Sequence, residues 1–206
     1  MKETCDLIII LLMTILLGGV AFASESKPDL YEITGYEGTQ GIVSSDHEYL
    51  TAKETEVPFQ ILLEDAGYCG ENIFGIYSFT DIDGMITVDV MHQIFKGTDA
   101  PGSEKNIYPG INSEIGFYLT TPQGYTYYSH TSLNPDREQH MLLFSYSDVS
   151  DSESFVVACE DLYGLGDCDY NDLVVKASDV QGNPEPATIL SFFLAGLGLA
   201  FRKMRK

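Results

Sequence analysis

Between residues 57 and 180 the sequence consists of short apolar or alternating runs, separated by Gly, Pro, Asn and Asp. No segment keeps the three- and four-residue apolar spacing of an amphipathic helix. This pattern predicts an all-β fold, a single antiparallel β-sandwich or jelly-roll-like domain. Asp83-Gly84, between two runs, predicts a hairpin turn, and residues 96–109 are predicted to form one long loop. The predicted strands are 58–63, 73–79, 85–95, 114–121, 125–129, 140–147, 154–159 and 173–177.

The N-terminal end of the chain has the pattern of a secretory signal peptide. Residues 7–20 are apolar and are followed by Ala21-Phe22-Ala23, a small-x-small cleavage pattern. We therefore expect signal peptidase to remove residues 1–23, with an uncleaved membrane anchor as the alternative. The more polar residues 24–56 are expected to be a lead-in or to add edge strands.

The C-terminal end combines Pro184-Glu185-Pro186, an apolar run over residues 187–201 and a basic tail over residues 202–206. As a helix the run would cover about 22 Å, less than the roughly 30 Å of a hydrocarbon core. The basic tail would stay on the cytoplasmic side, which places the body of the protein across the membrane. This arrangement resembles the PEP-CTERM sorting signal, which an exosortase recognises, and the corresponding domain is 181–206. A tail-anchored helix with a chance Pro-Glu-Pro is the alternative.

The chain is strongly acidic, with 31 acidic and 11 basic residues and a net charge of −20. This charge excludes a nucleic-acid binder that works through a basic face. Removal of both ends takes away two acids and five bases, so the net charge becomes −23. With 13 Tyr and 11 Phe, the chain is too aromatic for a disordered acidic tail. The sequence thus predicts an exported, folded protein, transiently membrane-anchored and finally at the cell surface or outside the cell.

Three cysteines remain after signal removal: Cys69, Cys159 and Cys168. An odd number in an oxidising compartment allows one disulfide and one free thiol. A bridge between Cys159 and Cys168 would close a short loop and contribute about 2–3 kcal/mol. A free, buried Cys159 is the equal alternative, and the pairing stays open.

The densest group of candidate functional residues lies between Glu160 and Asp172, where five carboxylates occur without an intervening Lys or Arg. Each like-charge pair at about 4 Å costs roughly 1 kcal/mol in water and more near a protein surface, so a cation should neutralise them. The D-x-D-x-N alternation in a loop, with hard oxygen ligands, suits Ca²⁺. An exposed turn satisfied by backbone amides and water is the alternative. The predicted calcium ligands are Glu160, Asp161, Asp167, Asp169, Asn171 and Asp172.

The loop is not an EF-hand, because Asp172 stands where that motif needs Gly and Ser178 where it needs Glu. The body of the chain instead resembles the domain of unknown function 4114 family over about residues 57–180. Matching features are Glu160-Asp161-Leu162 with the following Asp-x-Asp-x-Asn-Asp, and residues 66–68, 116–119, 134–136 and 140–146. The resemblance implies a secreted or surface bacterial protein, with both calcium binding and enzymatic activity suggested for its acids. The chain departs from the pattern at Cys159, at Cys168 and at Leu165, where glycine is usual.

Two other functions compete with a structural or adhesive role. Glu160 with Asp169 or Asp172 could form the carboxylate pair of a glycoside hydrolase, although no nucleophile motif supports an enzyme and the four histidines are expected to be structural or on the surface. A carbohydrate-binding module could use Tyr125, Tyr127 and Tyr128 as an aromatic platform, although aromatic residues on strands usually pack in the core. We expect a non-enzymatic, calcium-stabilised surface or matrix protein. Its expected partners are signal peptidase and an exosortase during export, then exopolysaccharide or other surface polymers.

Overall fold

The computed structural model describes residues 47–67, 70–146 and 154–182. These residues form an all-β sandwich of two antiparallel sheets with one short 3-10 helix, which confirms the predicted fold class. The proposed signal peptide, Cys69 and the C-terminal sorting signal lie outside the described residues. Within the part of the chain that the structure describes, no helix has the length and apolarity needed to cross a bilayer.

Eleven strands are present in the described residues. In chain order they are β1 (Leu50–Ala52), β2 (Val57–Glu64), β3 (Ile73–Ile82), β4 (Met85–Lys96), β5 (Glu104–Ile107), β6 (Glu114–Thr120), β7 (Thr126–Tyr128), β8 (Met141–Tyr146), β9 (Ser154–Cys159), β10 (Leu173–Ser178) and β11 (Val180–Gly182), with the 3-10 helix at Thr131–Leu133. The first sheet has the order β11-β1-β6-β3-β4, with β7 paired to β6, and the second has the order β5-β2-β10-β9-β8.

The core lies between the two sheets and follows from the alternation of apolar residues. In β2 the alternate residues Val57, Phe59 and Ile61 are buried, as expected for a strand with one face on the core. Phe59 meets Phe117 of the other sheet edge to face, with ring centroids 6.4 Å apart. The sandwich is therefore joined by aromatic contacts across its two inner faces.

A second, smaller apolar cluster packs the other face of the β10-β9-β8 side of the second sheet. Its buried members are Leu142, Phe144, Val156, Ala158, Tyr170 and Val174. Tyr170 belongs to the acidic loop between β9 and β10. This loop is thus anchored on the sheet by a buried aromatic side chain as well as by its two ends.

All eight predicted strands are confirmed, and Asp83 (φ 55°) and Gly84 (φ 81°) form the predicted hairpin turn between β3 and β4. The prediction of one loop over residues 96–109 was wrong, because β5 lies within it. Its sequence, EKNI, has no alternation, and it becomes a strand by pairing as an edge with β2, where Val57 faces Ile107. The three-residue strand β11 was also not predicted, whereas β1 lies within residues 24–56, for which added edge strands were one of the two alternatives.

No disulfide joins Cys159 and Cys168. Cys159 is buried and free, whereas Cys168 is exposed and free. Of the two alternatives from the sequence, the structure has the free, buried Cys159. Burial and the nearby charges of Asp172, Asp161 and Glu160 raise the pKa of its thiol, so this cysteine stays protonated and unreactive.

Candidate metal centre

The acidic loop, residues 160–172, joins two neighbouring strands of the second sheet. Its ends are held together because Cys159, the last residue of β9, faces Leu173, the first residue of β10. Asp65, just after β2, donates its backbone N–H to the carbonyl of Asp172 at 3.0 Å. The loop therefore projects from a rigid edge formed by three adjacent strands.

The backbone of the loop turns through five left-handed residues. They are Gly164 (φ 73°), Leu165 (67°), Gly166 (46°), Cys168 (62°) and Tyr170 (53°). Cys168 and Tyr170 alternate with Asp167, Asp169 and Asn171. One left-handed residue therefore lies between each candidate ligand and the next. A left-handed residue with a side chain costs about 1–2 kcal/mol, and such conformations concentrate at ligand sites.

This path brings the acids into two groups that share one residue. Oxygens of Glu160, Asp167 and Asp169 lie within 4.8 Å of one another, as do oxygens of Glu160, Asp161 and Asp172. Asp167 and Asp169 are exposed, whereas Asp161 is buried. The structure thus brings together all five predicted carboxylates, with Glu160 common to an outer and an inner group.

Glu160 is the most unusual of these residues. Its side chain is 0% exposed, and neither carboxylate oxygen has a hydrogen-bond partner. Burial, followed by the charges of Asp172, Asp167 and Asp169, raises the pKa of Glu160 to about 8. An unpaired buried carboxylate is strongly unfavourable, so Glu160 needs either a proton or a cation.

The pKa values of the two other acids of the inner group are raised as well. Burial raises the pKa of Asp172 to about 6 and also raises the pKa of Asp161. Asn72 donates from Nδ2 to Asp161 Oδ2 at 2.8 Å, and the backbone N–H of Asp161 donates to Asp172 Oδ2 at 2.8 Å. These bonds orient both carboxylates and leave their second oxygens available to an ion.

Asn171, the sixth predicted ligand, hydrogen-bonds to another predicted ligand, Asp169. It donates from Nδ2 to Asp169 Oδ2 at 2.7 Å and from its backbone N–H to Asp169 Oδ1 at 3.3 Å. Both donors therefore fix the carboxylate of Asp169 in place, while the amide oxygen of Asn171 makes neither of these two bonds.

Sequence reasoning missed three residues beside the loop: Asn72, Asp136 and His140. The side chain of His140 is fully buried, with Nδ1 2.9 Å from the carbonyl of Glu160 and Nε2 2.9 Å from Asp136 Oδ2. A carbonyl can only accept, so His140 Nδ1 donates to Glu160, and Nε2 pairs with Asp136. Gly164 N–H also donates to Asp136 Oδ2, at 2.9 Å. These donors hold the pKa of Asp136 below its usual value although burial opposes them.

The aromatic platform of the carbohydrate-binding alternative does not form. Tyr127 is fully buried and stacks on the ring of His140, with centroids 3.6 Å apart and an interplanar angle of 10°. Only Tyr125, which is 40% exposed, faces solvent to a large extent, and it packs on Tyr127 and Tyr163. These tyrosines cover His140 and the loop instead of offering a flat surface.

One protein-family model matches a part of the chain that contains the acidic loop. The family model described as "Domain of unknown function (DUF4114)" matches residues 100–179, which include the loop, Asp136 and His140. The match is narrower than the sequence resemblance over residues 57–180. A comparison with curated proteins finds no match.

Several solved bacterial lectins are similar in structure at low sequence identity. The Chromobacterium violaceum lectin CV2L, solved with alpha-methyl-fucoside, has a TM-score of 0.40 at 15% identity, and the alignment covers 64% of this chain and 95% of the lectin. The C-terminal domain of the BC2L-C lectin from Burkholderia cenocepacia gives 0.39 at 15%, covering 64% and 94%. A high-affinity mannose-binding lectin from Ralstonia solanacearum gives 0.37 at 13%, also covering 64% and 94%. At these TM-scores the overlap assigns no function to this chain.

Proposed function

We propose that this chain is an exported bacterial cell-surface or extracellular-matrix protein with a structural or adhesive role, whose β-sandwich is stabilised by calcium at the acidic loop. The observation that carries the calcium proposal is the carboxylate of Glu160. It is completely buried, its two oxygens have no hydrogen-bond partner, and four further carboxylates surround it. A divalent cation would bind the unpaired oxygens of Glu160 and would neutralise part of the negative charge around it.

The chemistry of the ligands favours Ca²⁺ over other divalent ions. The two groups offer carboxylate oxygens, which are hard ligands, and Ca²⁺ accepts them in flexible numbers and geometries. Mg²⁺ demands a near-ideal octahedron, and Zn²⁺ prefers nitrogen and sulfur ligands. A loop shaped by five left-handed residues suits the more tolerant ion.

The loop can bind two ions, one in the inner group of acids and one in the outer group, with Glu160 as a ligand of both. With five carboxylates, one Ca²⁺ leaves a local charge of about −3 and a second leaves about −1, which reduces the repulsion between the remaining charges. The inner ion would lie against the buried Asp161 and the half-buried Asp172, and the outer ion against the exposed Asp167 and Asp169. We therefore expect the outer ion to exchange faster.

A calorimetric titration of the purified full chain with Ca²⁺ tests this part of the proposal. Wild type should bind two ions, and Glu160→Gln, which keeps the shape of the side chain, should bind none tightly. Glu114→Gln is the matched control, because it removes the same charge from an exposed position in β6 and should leave binding unchanged. Absence of binding by wild type, or equal binding by Glu160→Gln, would contradict the calcium proposal.

The proposed route to the surface uses the two ends of the chain. Residues 1–23 would be removed by signal peptidase, and residues 184–206 would be recognised by an exosortase after the apolar run has held the chain in the membrane. Mass spectrometry of the protein recovered from a host with and without an exosortase tests this route. We expect a mature chain that begins at Ser24 and a C-terminal cut only with the exosortase. An intact precursor in the cytoplasm would contradict export.

The burial of Glu160 supports a binding site over a hydrolase. A catalytic carboxylate must reach the glycosidic bond, whereas Glu160 is 0% exposed, and its oxygens lie within 4.8 Å of those of Asp169 and Asp172. As the partner we propose exopolysaccharide or another surface polymer. Retention on immobilised polysaccharide without release of reducing sugar supports this proposal, and sugar release that Glu160→Gln abolishes would establish the enzyme instead.

A further inference from the structure

We propose that Asp136 and His140 are positioning residues for the calcium site: they set the distance between its two arms without binding the ion. This inference rests on the proposed calcium function. The two arms are Glu160, at the end of β9, and the loop arm, residues 164–169, which carries Asp167 and Asp169. We call residues 136–140 the brace. It comes from the segment between the 3-10 helix and β8.

The brace holds the first arm through His140. The backbone N–H of Glu160 donates to the carbonyl of His140 at 2.9 Å, and His140 Nδ1 donates back to the carbonyl of Glu160 at 2.9 Å. Glu160 is therefore fixed by its backbone on both sides. The ring of His140 cannot rotate away, because Tyr127 stacks on it and Asp136 hydrogen-bonds to its other nitrogen.

The brace holds the second arm through Asp136. Its Oδ2 accepts from Gly164 N–H at 2.9 Å, at the start of the left-handed run that turns the chain back over Glu160. The same oxygen lies 2.9 Å from His140 Nε2, within hydrogen-bond distance. A single carboxylate oxygen thus ties the loop arm to the residue that fixes Glu160.

A third bond joins the brace to the far end of the loop. Tyr170 donates its hydroxyl to the carbonyl of Gln139 at 2.8 Å, and the Tyr170 ring is buried in the smaller apolar cluster. The brace therefore contacts the loop near its beginning, its middle and its end, which are the points between which the five carboxylates are distributed.

Asp136 and His140 belong to neither group of acids whose oxygens converge. Their contribution is the position of the ligands, in the way that hydrogen-bonded outer residues orient the direct ligands in metal sites. Loss of this support lets Asp167 and Asp169 move away from Glu160. The expected effect is a weaker calcium affinity with the number of ions unchanged.

The test compares Asp136→Asn with Tyr77→Phe. In Asp136, Oδ2 contacts both Gly164 N–H and His140 Nε2, and Oδ1 accepts from the backbone N–H of Glu138 at 3.2 Å. An Asn at this position has one acceptor oxygen and no charge, so it cannot serve all three partners. The control removes a hydroxyl that hydrogen-bonds to His130 Nδ1 at 2.5 Å, in another buried tyrosine–histidine pair that lies in the first sheet and its flanking loop. Both variants lose a buried hydrogen bond, but only Asp136→Asn acts on the brace.

For the full chain, the calcium dissociation constant and the metal-free melting temperature are measured together. Asp136→Asn should raise the dissociation constant by about 10–100-fold, whereas Tyr77→Phe should lower the melting temperature and leave the dissociation constant unchanged. A lowered melting temperature with unchanged calcium affinity in Asp136→Asn would overturn the positioning role. Wild type that binds no calcium would overturn the proposed function itself.

If Asp136→Asn does not fold, Tyr170→Phe decides the question. It removes only the hydroxyl that donates to Gln139 and keeps the buried ring. A calcium dissociation constant raised severalfold supports the brace, and an unchanged one overturns it.

Discussion

The Cβ position of Gly166 points at the carboxylate of Glu160. A methyl group there would lie 2.7 Å from Glu160 Oε1 and 2.8 Å from Leu162 Cδ1, and the backbone of Gly166 is left-handed, with φ 46°. Both distances are well inside van der Waals contact. Only glycine at position 166 leaves room for the side chain of Glu160, the ligand that the two acidic groups share.

Gly166→Ala should weaken calcium binding by moving the carboxylate of Glu160 out of its place. Gly164→Ala is the matched control, because Gly164 is also left-handed (φ 73°) but a methyl group there would meet open space. Both variants should lose about 1 kcal/mol of stability from the backbone alone. Only Gly166→Ala should raise the calcium dissociation constant, by about tenfold or more, in calorimetric titrations. Equal dissociation constants for the two variants would contradict the close contact.

Glu160→Gln should stabilise the metal-free protein and remove its response to calcium. At neutral pH the substitution replaces a buried acid, which is forced to hold a proton, by a neutral side chain of the same shape. We expect the free energy of unfolding without metal to rise by about 1–2 kcal/mol in urea titrations. A lower metal-free stability would mean that the Glu160 carboxylate has a favourable partner in the protein.

The stability of the metal-free protein should fall as the pH rises from about 5 to about 8. The folded-state pKa of Glu160, about 8, lies above its ordinary value of 4.5, and that of Asp172, about 6, lies above 3.8. In this range the folded protein binds more protons than the unfolded chain, so the free energy of unfolding decreases with pH. The contribution of both groups is fully present below their ordinary pKa values and is lost as the pH passes the raised ones.

Calcium requires the ionised carboxylates, so the increase in melting temperature that it produces should grow over the same range. Melting curves at several pH values, with and without calcium, measure both trends. Glu160→Gln should flatten the metal-free profile. A melting temperature that rises with pH without metal, or a wild-type slope in Glu160→Gln, would contradict the raised pKa of Glu160.

Tyr127→Phe should leave the stability unchanged or raise it by about 1 kcal/mol. The hydroxyl of Tyr127 is buried without a hydrogen-bond partner, and the ring, which stacks on His140, is retained in phenylalanine. Tyr77→Phe should instead lower the free energy of unfolding by about 1 kcal/mol, since it removes a paired hydroxyl. Urea unfolding of both variants measures the difference. Equal losses in the two variants would show that the Tyr127 hydroxyl is paired.

The strands that could be predicted from the sequence are those with alternating apolar residues, such as Val57, Phe59 and Ile61 in β2. The strands β1, β5 and β11, whose positions were not predicted, lack this signal. β1 and β11 have three residues each, and β5 contains one apolar residue, so their pairing depends on neighbours that are distant in sequence. For such short strands, tertiary contacts decide the conformation and local preference does not.

Some residues of the candidate site could likewise be predicted from the sequence, and others could not. The acids of the loop could be identified because they are close in sequence and repel one another without a cation. Asn72 could not, since it lies 89 residues before Asp161, its partner. For Asp136 and His140 the only signal was their place in the family resemblance, which gives them no role. Their contacts with Gly164 and Glu160 exist only once β8 and β9 are paired.

The calcium site is tested most directly by the thermal melt of the purified full chain, first with excess calcium and then after a chelator has removed the calcium. At a free calcium concentration of about 100 times the dissociation constant, binding to the folded state alone adds about 2.7 kcal/mol, or about 5–10 °C in a chain of this size. Wild type should show this shift, and Glu160→Gln should lose it. An identical melting temperature with and without calcium would contradict the claim that the acidic loop is a calcium site.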